Sequence, residues 1–157
     1  MPDLIVVEEL QDYLVAQGVA QQPSDAPSIV IPSVWLAPRD GAPAPRTGEN
    51  VTITLVDTML APAAELEAWI EEAFVDVIVV ARQNATAKLT HRVIRDLIHP
   101  VEAHGGRFQW QMAALLVEYS TIWRGDQPLY QDNQTYSRVA SYRFGARRKV
   151  LAGNGAP

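Results

Sequence analysis

The run Val75-Asp-Val-Ile-Val-Val-Ala81 constrains this chain more than any other stretch. β-Branched side chains lose rotamer freedom in a helix and pack well on a pleated surface, so the run predicts a strand. Its near-continuous apolarity, without a polar alternate face, predicts an interior strand covered on both sides. Asp76 interrupts it, and a carboxylate there must find a partner or an edge.

Other elements assemble around this strand. "DLIVVEELQDYLVAQG" places Val6, Leu10, Tyr13 and Leu14 on one helical face, with Val7 beside them. Asp3 is a plausible N-cap and Gly18 the stop. "SIVIPSVWL" is a β-rich run broken by Pro32, which lacks a ladder donor. Pro38, Pro43, Pro45, Gly41 and Gly48 then forbid regular structure, predicting a long exposed loop over 37–50. "VTITLV" alternates, with Val51, Ile53 and Leu55 inward.

"APAAELEAWIEEAF" predicts a helix starting at Pro62, with Leu66, Trp69, Ile70 and Ala73 on its inner face. "NATAKLTHRVIRDLIHP" predicts another, capped by Asn84 or Thr86. Its apolar stripe is Leu89, Val93, Ile94, Leu97 and Ile98. "ALLVEYSTIW" and "TYSRVASYRF" alternate as two strands of a long-looped hairpin. Arg124-Gly125-Asp126 falls where the first of them should end, so it reads as a corner rather than an adhesion signal.

A chain of 157 residues can bury a core as one domain. The elements predict an α/β (α+β) fold over residues 1–149, with a flexible tail over 150–157. Its sheet is mixed, mostly antiparallel, of four to five strands flanked by two to three helices. The chain has no cysteine, which excludes disulfides and thiolate chemistry. No run reaches the ~18 apolar residues of a membrane span, and the start lacks a basic region, so the expectation is a soluble, unexported protein.

Chemistry-bearing patterns are sparse. His91 and His99 stand about 80° apart around a helix turning ~100° per residue, unlike a ligand pair one turn apart. With His104 they are expected to be surface or boundary imidazoles. No nucleophile elbow, phosphate-binding loop or dinucleotide fingerprint occurs. The expectation is a non-enzyme without cofactor or metal. Tyr119, Trp123, Tyr136, Tyr142 and Phe144 could stack bases, but strand aromatics at period two are more often core. Charge is distributed unevenly: thirteen acids against two bases in residues 1–80, and five against eleven thereafter. Such polarity suits attraction between copies or a basic surface facing a polyanion.

The order of elements, ending in a strand and "QPLYQDNQTYSRVASYRF", resembles the tail terminator (minor tail) proteins of long, non-contractile-tailed bacteriophages. The likeness spans residues 1–149, and its most specific part is Gln127-Pro128 followed by a polar loop and a final strand. It implies a structural virion protein, assembled in the host cytoplasm and sited at the head–tail junction. There a homohexameric ring would cap the tail tube, halt its polymerisation and offer the head-joining surface. Implied partners are further copies, the tail tube protein, a head–tail connector and DNA in the lumen, with no membrane. On this resemblance Arg39, Asp40 and Arg46 project from the long loop toward a partner ring or the lumen. Arg124 and Asp126 form a second contact. Arg143, Arg147 and Arg148 face a neighbour's acidic helix carrying Glu65, Glu67, Glu71 and Glu72. Other readings are an adaptor, stopper or tube subunit, a dimeric small-ligand-binding module, and a nucleic-acid-binding domain using the basic end.

Overall fold

The computed structural model describes residues 5–37, 42–62, 71–99, 110–131 and 135–148. Its chain order is α1 (Ile5–Ala16), β1 (Ser33–Ala37), β2 (Val51–Pro62), β3 (Glu71–Ala81), α2 (Asn84–Ile98), β4 (Trp110–Gln111), β5 (Leu115–Gln131) and β6 (Tyr136–Arg148). The strands form one six-stranded sheet in the order β1-β2-β3-β6-β5-β4. β1 and β2 run parallel and every other pair antiparallel. This is a single α+β domain with a mixed sheet, one strand larger than expected.

The apolar run becomes β3, in the middle of the sheet between β2 and β6. Its alternate residues Val75, Val77 and Val79 are fully buried, and they align with Tyr142, Ala140 and Arg138 of β6. Leu55 and Ile53 of β2 continue the same rows. Both helices pack on this face. α1 buries Val6, Val7, Leu10 and Leu14, donates from Gln11 Nε2 to the Val34 carbonyl at 2.8 Å, and sets Tyr13 against Trp110 with ring centroids 4.9 Å apart. The chain leaves α1 through Gly18, whose φ of +78° suits a residue lacking Cβ.

On the opposite face, Trp35, Val56, Phe74, Ile78 and Val139 are half-buried. Among the described residues no helix covers them, so β3 is buried under helices on one side only. Asp76 lies on this face and accepts a 2.6 Å hydrogen bond from Ser141 Oγ, the partner that its position demanded.

Three expectations are corrected. Pro62 ends β2 and pairs with Glu71 at the start of β3, so no helix begins at Pro62 or extends to Ala73. Residues 63–70 lie outside the described residues. Two flanking strands, β2 and β6, outweigh the helical propensity of the Glu/Ala-rich stretch. Arg124-Gly125-Asp126 is no corner but lies within β5, which continues to Gln131. The strand passes the tripeptide by irregular pairing, with register shifts between Val117/Tyr119, Ile122/Arg124, Arg124/Gln127 and Pro128/Tyr130. Finally, α2 has Gln83 at its N-cap without a side-chain cap, because Asn84 Oδ1 instead accepts from Arg138 Nη1 at 3.1 Å.

The sheet's outer strands are short. β1 has five residues and β4 two, whereas β2 has twelve and β5 seventeen. Among the described residues, long outer edges of β2 beyond Val56 and of β5 beyond Val117 therefore carry no paired strand.

Thr54, on the helix-free face, is fully buried and its Oγ1 has no hydrogen-bond partner. An unsatisfied buried hydroxyl costs about 1–3 kcal/mol. Thr54→Val is therefore expected to stabilise the domain by about 1 kcal/mol, seen as a rise of roughly 2–4 °C in Tm by calorimetry.

Candidate interaction surface

Two arginines hold down the described part of the long loop: Arg82, which donates to the carbonyls of Pro45, Arg46 and Glu49, and Arg46. Glu49 is buried, and its carboxylate accepts from the Arg46 backbone N–H at 2.8 Å, from Arg46 Nε at 3.1 Å and from Ser33 Oγ at 2.6 Å. The same guanidinium donates to the carbonyls of Pro23 and Asp25 at 3.0 and 3.3 Å and lies 5.7 Å from the centre of the Trp35 ring. Burial pushes the Glu49 pKa upward, but the hydrogen bonds from Arg46 and Ser33 outweigh it and the net shift is downward. Arg46 thus joins loop 22–32, loop 42–50 and β1 within one chain instead of projecting from an exposed loop. Arg39 and Asp40 lie outside the described residues.

The basic end of the chain also meets acid internally. Glu72, in β3 rather than on a helix, accepts from Arg143 Nε at 2.7 Å and from the Tyr119 hydroxyl. The Arg143 guanidinium lies 5.6 Å from the Tyr119 ring centre. These bonds, the tyrosine's first, hold the Glu72 carboxyl below its usual pKa against the opposing effect of burial. Arg147 pairs with Glu118 at 2.7 Å, and Arg148 is exposed at the strand end. So the arginine–glutamate attraction expected between copies is made, for Arg143 and Glu72, inside one. The side chain of Glu71, with Glu65 and Glu67, falls outside the described residues. Asp126 accepts from Arg138 Nε at 2.7 Å, and Arg124 is exposed on β5.

The feature that the sequence did not disclose is the orientation of α2. It buries Ala87, His91, Ile94 and Ile98, while Leu89 and Val93 stand 57% and 38% exposed. Burying a leucine is worth about 1.5–3 kcal/mol, so this orientation forgoes a sizeable core contribution. His91 takes the inward place because its Nε2 meets the Arg138 carbonyl at 3.1 Å. Burial lowers the His91 pKa, outweighing the Arg138 carbonyl and Asp126. The ring is therefore a buried neutral imidazole, not the surface or boundary group expected. His99 instead contacts the Ser120 carbonyl through Nδ1 at 2.9 Å, and His104 lies outside the described residues.

Beside α2, Lys88, His91, Arg92, Arg95, Asp126 and Tyr142 line part of a cleft of about 200 Å³, below the roughly 300–1,000 Å³ usual for small-ligand sites. Among the described residues no three His, Asp or Glu side chains cluster to hold a metal. No described helix is long and apolar enough to cross a membrane. Tyr142 and Phe144 are core residues and cannot join a base-stacking row; the Trp123 side chain is outside the description. No family model matches the chain, and no curated protein is similar to it.

Two predictions test these placements. A Cβ at Gly145 would fall inside the Tyr119 ring, so Gly145→Ala should destabilise by about 1–3 kcal/mol in urea titrations. In a Tyr119→Ala background the same change should become neutral or mildly stabilising, because the obstruction is gone and alanine restricts the unfolded chain. For His91, a folded pKa below the unfolded value of 6.5 means that stability is full above 6.5 and declines as pH falls below it. His91→Gln, which keeps a donor for the Arg138 carbonyl, should flatten urea midpoints between pH 7 and pH 5.

Proposed function

We propose that this chain is a structural virion subunit, a tail terminator of a long-tailed bacteriophage. In this reading it forms a ring, of six copies on the family pattern, that closes the tail tube and presents the head-joining surface. The supporting observation is the uneven length of the strands. β2 and β5 outreach the short edge strands beside them, so that no described strand pairs with their outer edges beyond Val56 and Val117. Unpaired N–H and C=O groups are ready to pair with another chain. β5 is bulged at four places in its pairing with β6 and contains Pro128, and a bulged, proline-bearing strand disfavours unlimited edge-to-edge growth. A subunit that must associate and then stop needs both properties.

One other reading loses ground on particular residues. A nucleic-acid reader using the basic end would need unengaged cations, and among the described residues of that end Arg143 and Arg147 are bound to Glu72 and Glu118, leaving exposed Arg148.

Solution mass against concentration, with negative-stain microscopy of the same sample, tests the proposal. Closed six-fold annuli are expected, and adding the protein to growing tail tubes should arrest their length. Long hollow cylinders would make it a tube subunit, and a compact dimer would overturn the terminator reading.

A further inference from the structure

Two exposed apolar pairs on this chain have exposed charged residues close to them in the fold, Lys88 and Arg92 at one and Asp12 and Asp25 at the other. The first is the outer ridge of α2. Leu89 and Val93 are one helical turn apart, and exposed Lys88 and Arg92 precede each of them. Among the described residues neither Lys88 nor Arg92 has an ion-pair partner. Asp96, on the same helix, is beside Arg95 at 3.7 Å, and Asp126, which shares the cleft with Lys88 and Arg92, accepts from Arg138.

The second patch is the turn before β1, where Ile29 and Val30 are 65% and 84% exposed. The turn is fixed from within, since Ser28 Oγ accepts from the backbone N–H groups of Val30 and Ile31, both at 3.1 Å. Its base is fixed from below by the Arg46 bonds to the Pro23 and Asp25 carbonyls. Exposed Asp25 belongs to this loop, and exposed Asp12 of α1 is tied to it through Gln22 Nε2 at 3.3 Å. Two β-branched residues are thus held out to solvent on a braced, acid-flanked knob. Such pre-organisation lowers the entropy that association would otherwise cost.

We propose that copies of this chain join head to tail, the Ile29–Val30 knob of one seating on the Leu89–Val93 ridge of the next, with Asp12 and Asp25 opposite Lys88 and Arg92. The occupant is a second copy because the complementary surface is present on the chain itself. A symmetric dimer is disfavoured, because ridge on ridge sets cation against cation and knob on knob sets acid against acid. Unlike patches that meet repeatedly generate a closed ring or an open filament. Four side chains are an anchor, not an entire interface of ~1,200 Å² or more, so the surface around them supplies the remainder. The inference deepens the ring reading and rests on it only for closure.

The absence of cysteine makes disulfide trapping clean, and both tested positions are exposed. Under mild oxidation, a mixture of Val30→Cys and Leu89→Cys proteins should give mixed-disulfide dimers, with little product from either variant alone. Equal trapping of either variant by itself would show a symmetric contact and overturn the proposal, as would absence of the mixed product at every concentration. Independently, Arg92→Glu and Asp25→Arg should each weaken association about tenfold by light scattering, and the double variant R92E/D25R should restore it. No recovery in the double variant counts against the pairing. If trapping succeeds but the trapped oligomers leave tube growth unchanged, the contact stands and the terminator reading falls.

Discussion

The antiparallel pairing of β3 with β6 is the constraint on which the rest of the domain depends. It joins Glu71–Ala81 to residues 136–146 along its whole length, so the sheet cannot close until the end of the described chain returns to its middle. Entropy of loop closure must be met before these contacts repay it. In return, the pairing aligns Ala73, Val75 and Val77 of β3 with Phe144, Tyr142 and Ala140 and builds the floor on which both helices rest. It also creates the Glu72–Arg143 and Asp76–Ser141 bonds on the opposite face. Core and charge network therefore form together.

Seen from that pairing, the uneven charge of the sequence has a partly internal resolution. The acid-rich first half and base-rich second half meet across β3 and β6, and again where Arg82 of the second half donates to the Glu49 carbonyl at 2.8 Å. Among the described residues, further exposed charge lies on α1, on the loop after it, on the outer side of α2 and along β5. The last three also bear exposed apolar residues.

Legibility from sequence followed the locality of the deciding forces. α1 and the Val51–Leu55 alternation were readable because one helix face and one strand period state their own burial. The stretch after Pro62 was not, because its helix-favouring composition yields to strands contributed from elsewhere. Arg124-Gly125-Asp126 looks like a turn in isolation, and only pairing with β6 draws it into β5. The outward ridge was illegible for a related reason. Counting apolar residues selected Leu89 and Val93 for the interior, whereas His91 enters because it finds a carbonyl on a strand 47 residues away. Arg46 was recognised as a residue of interest from its loop, but its partner Glu49 gave no signal of burial.

The breaks along β5 have a consequence for how such a protein can vary. A strand with uninterrupted register cannot gain or lose one residue without turning every following side chain to the wrong side. β6 is of that kind against β3, and changes in its length are intolerable. β5 already absorbs several mismatches, each a place where an inserted or deleted residue could be accommodated locally. Divergence in length among descendants of this chain should accumulate in that strand, letting the outer arm be refitted to new neighbours while the centre of the sheet stays fixed.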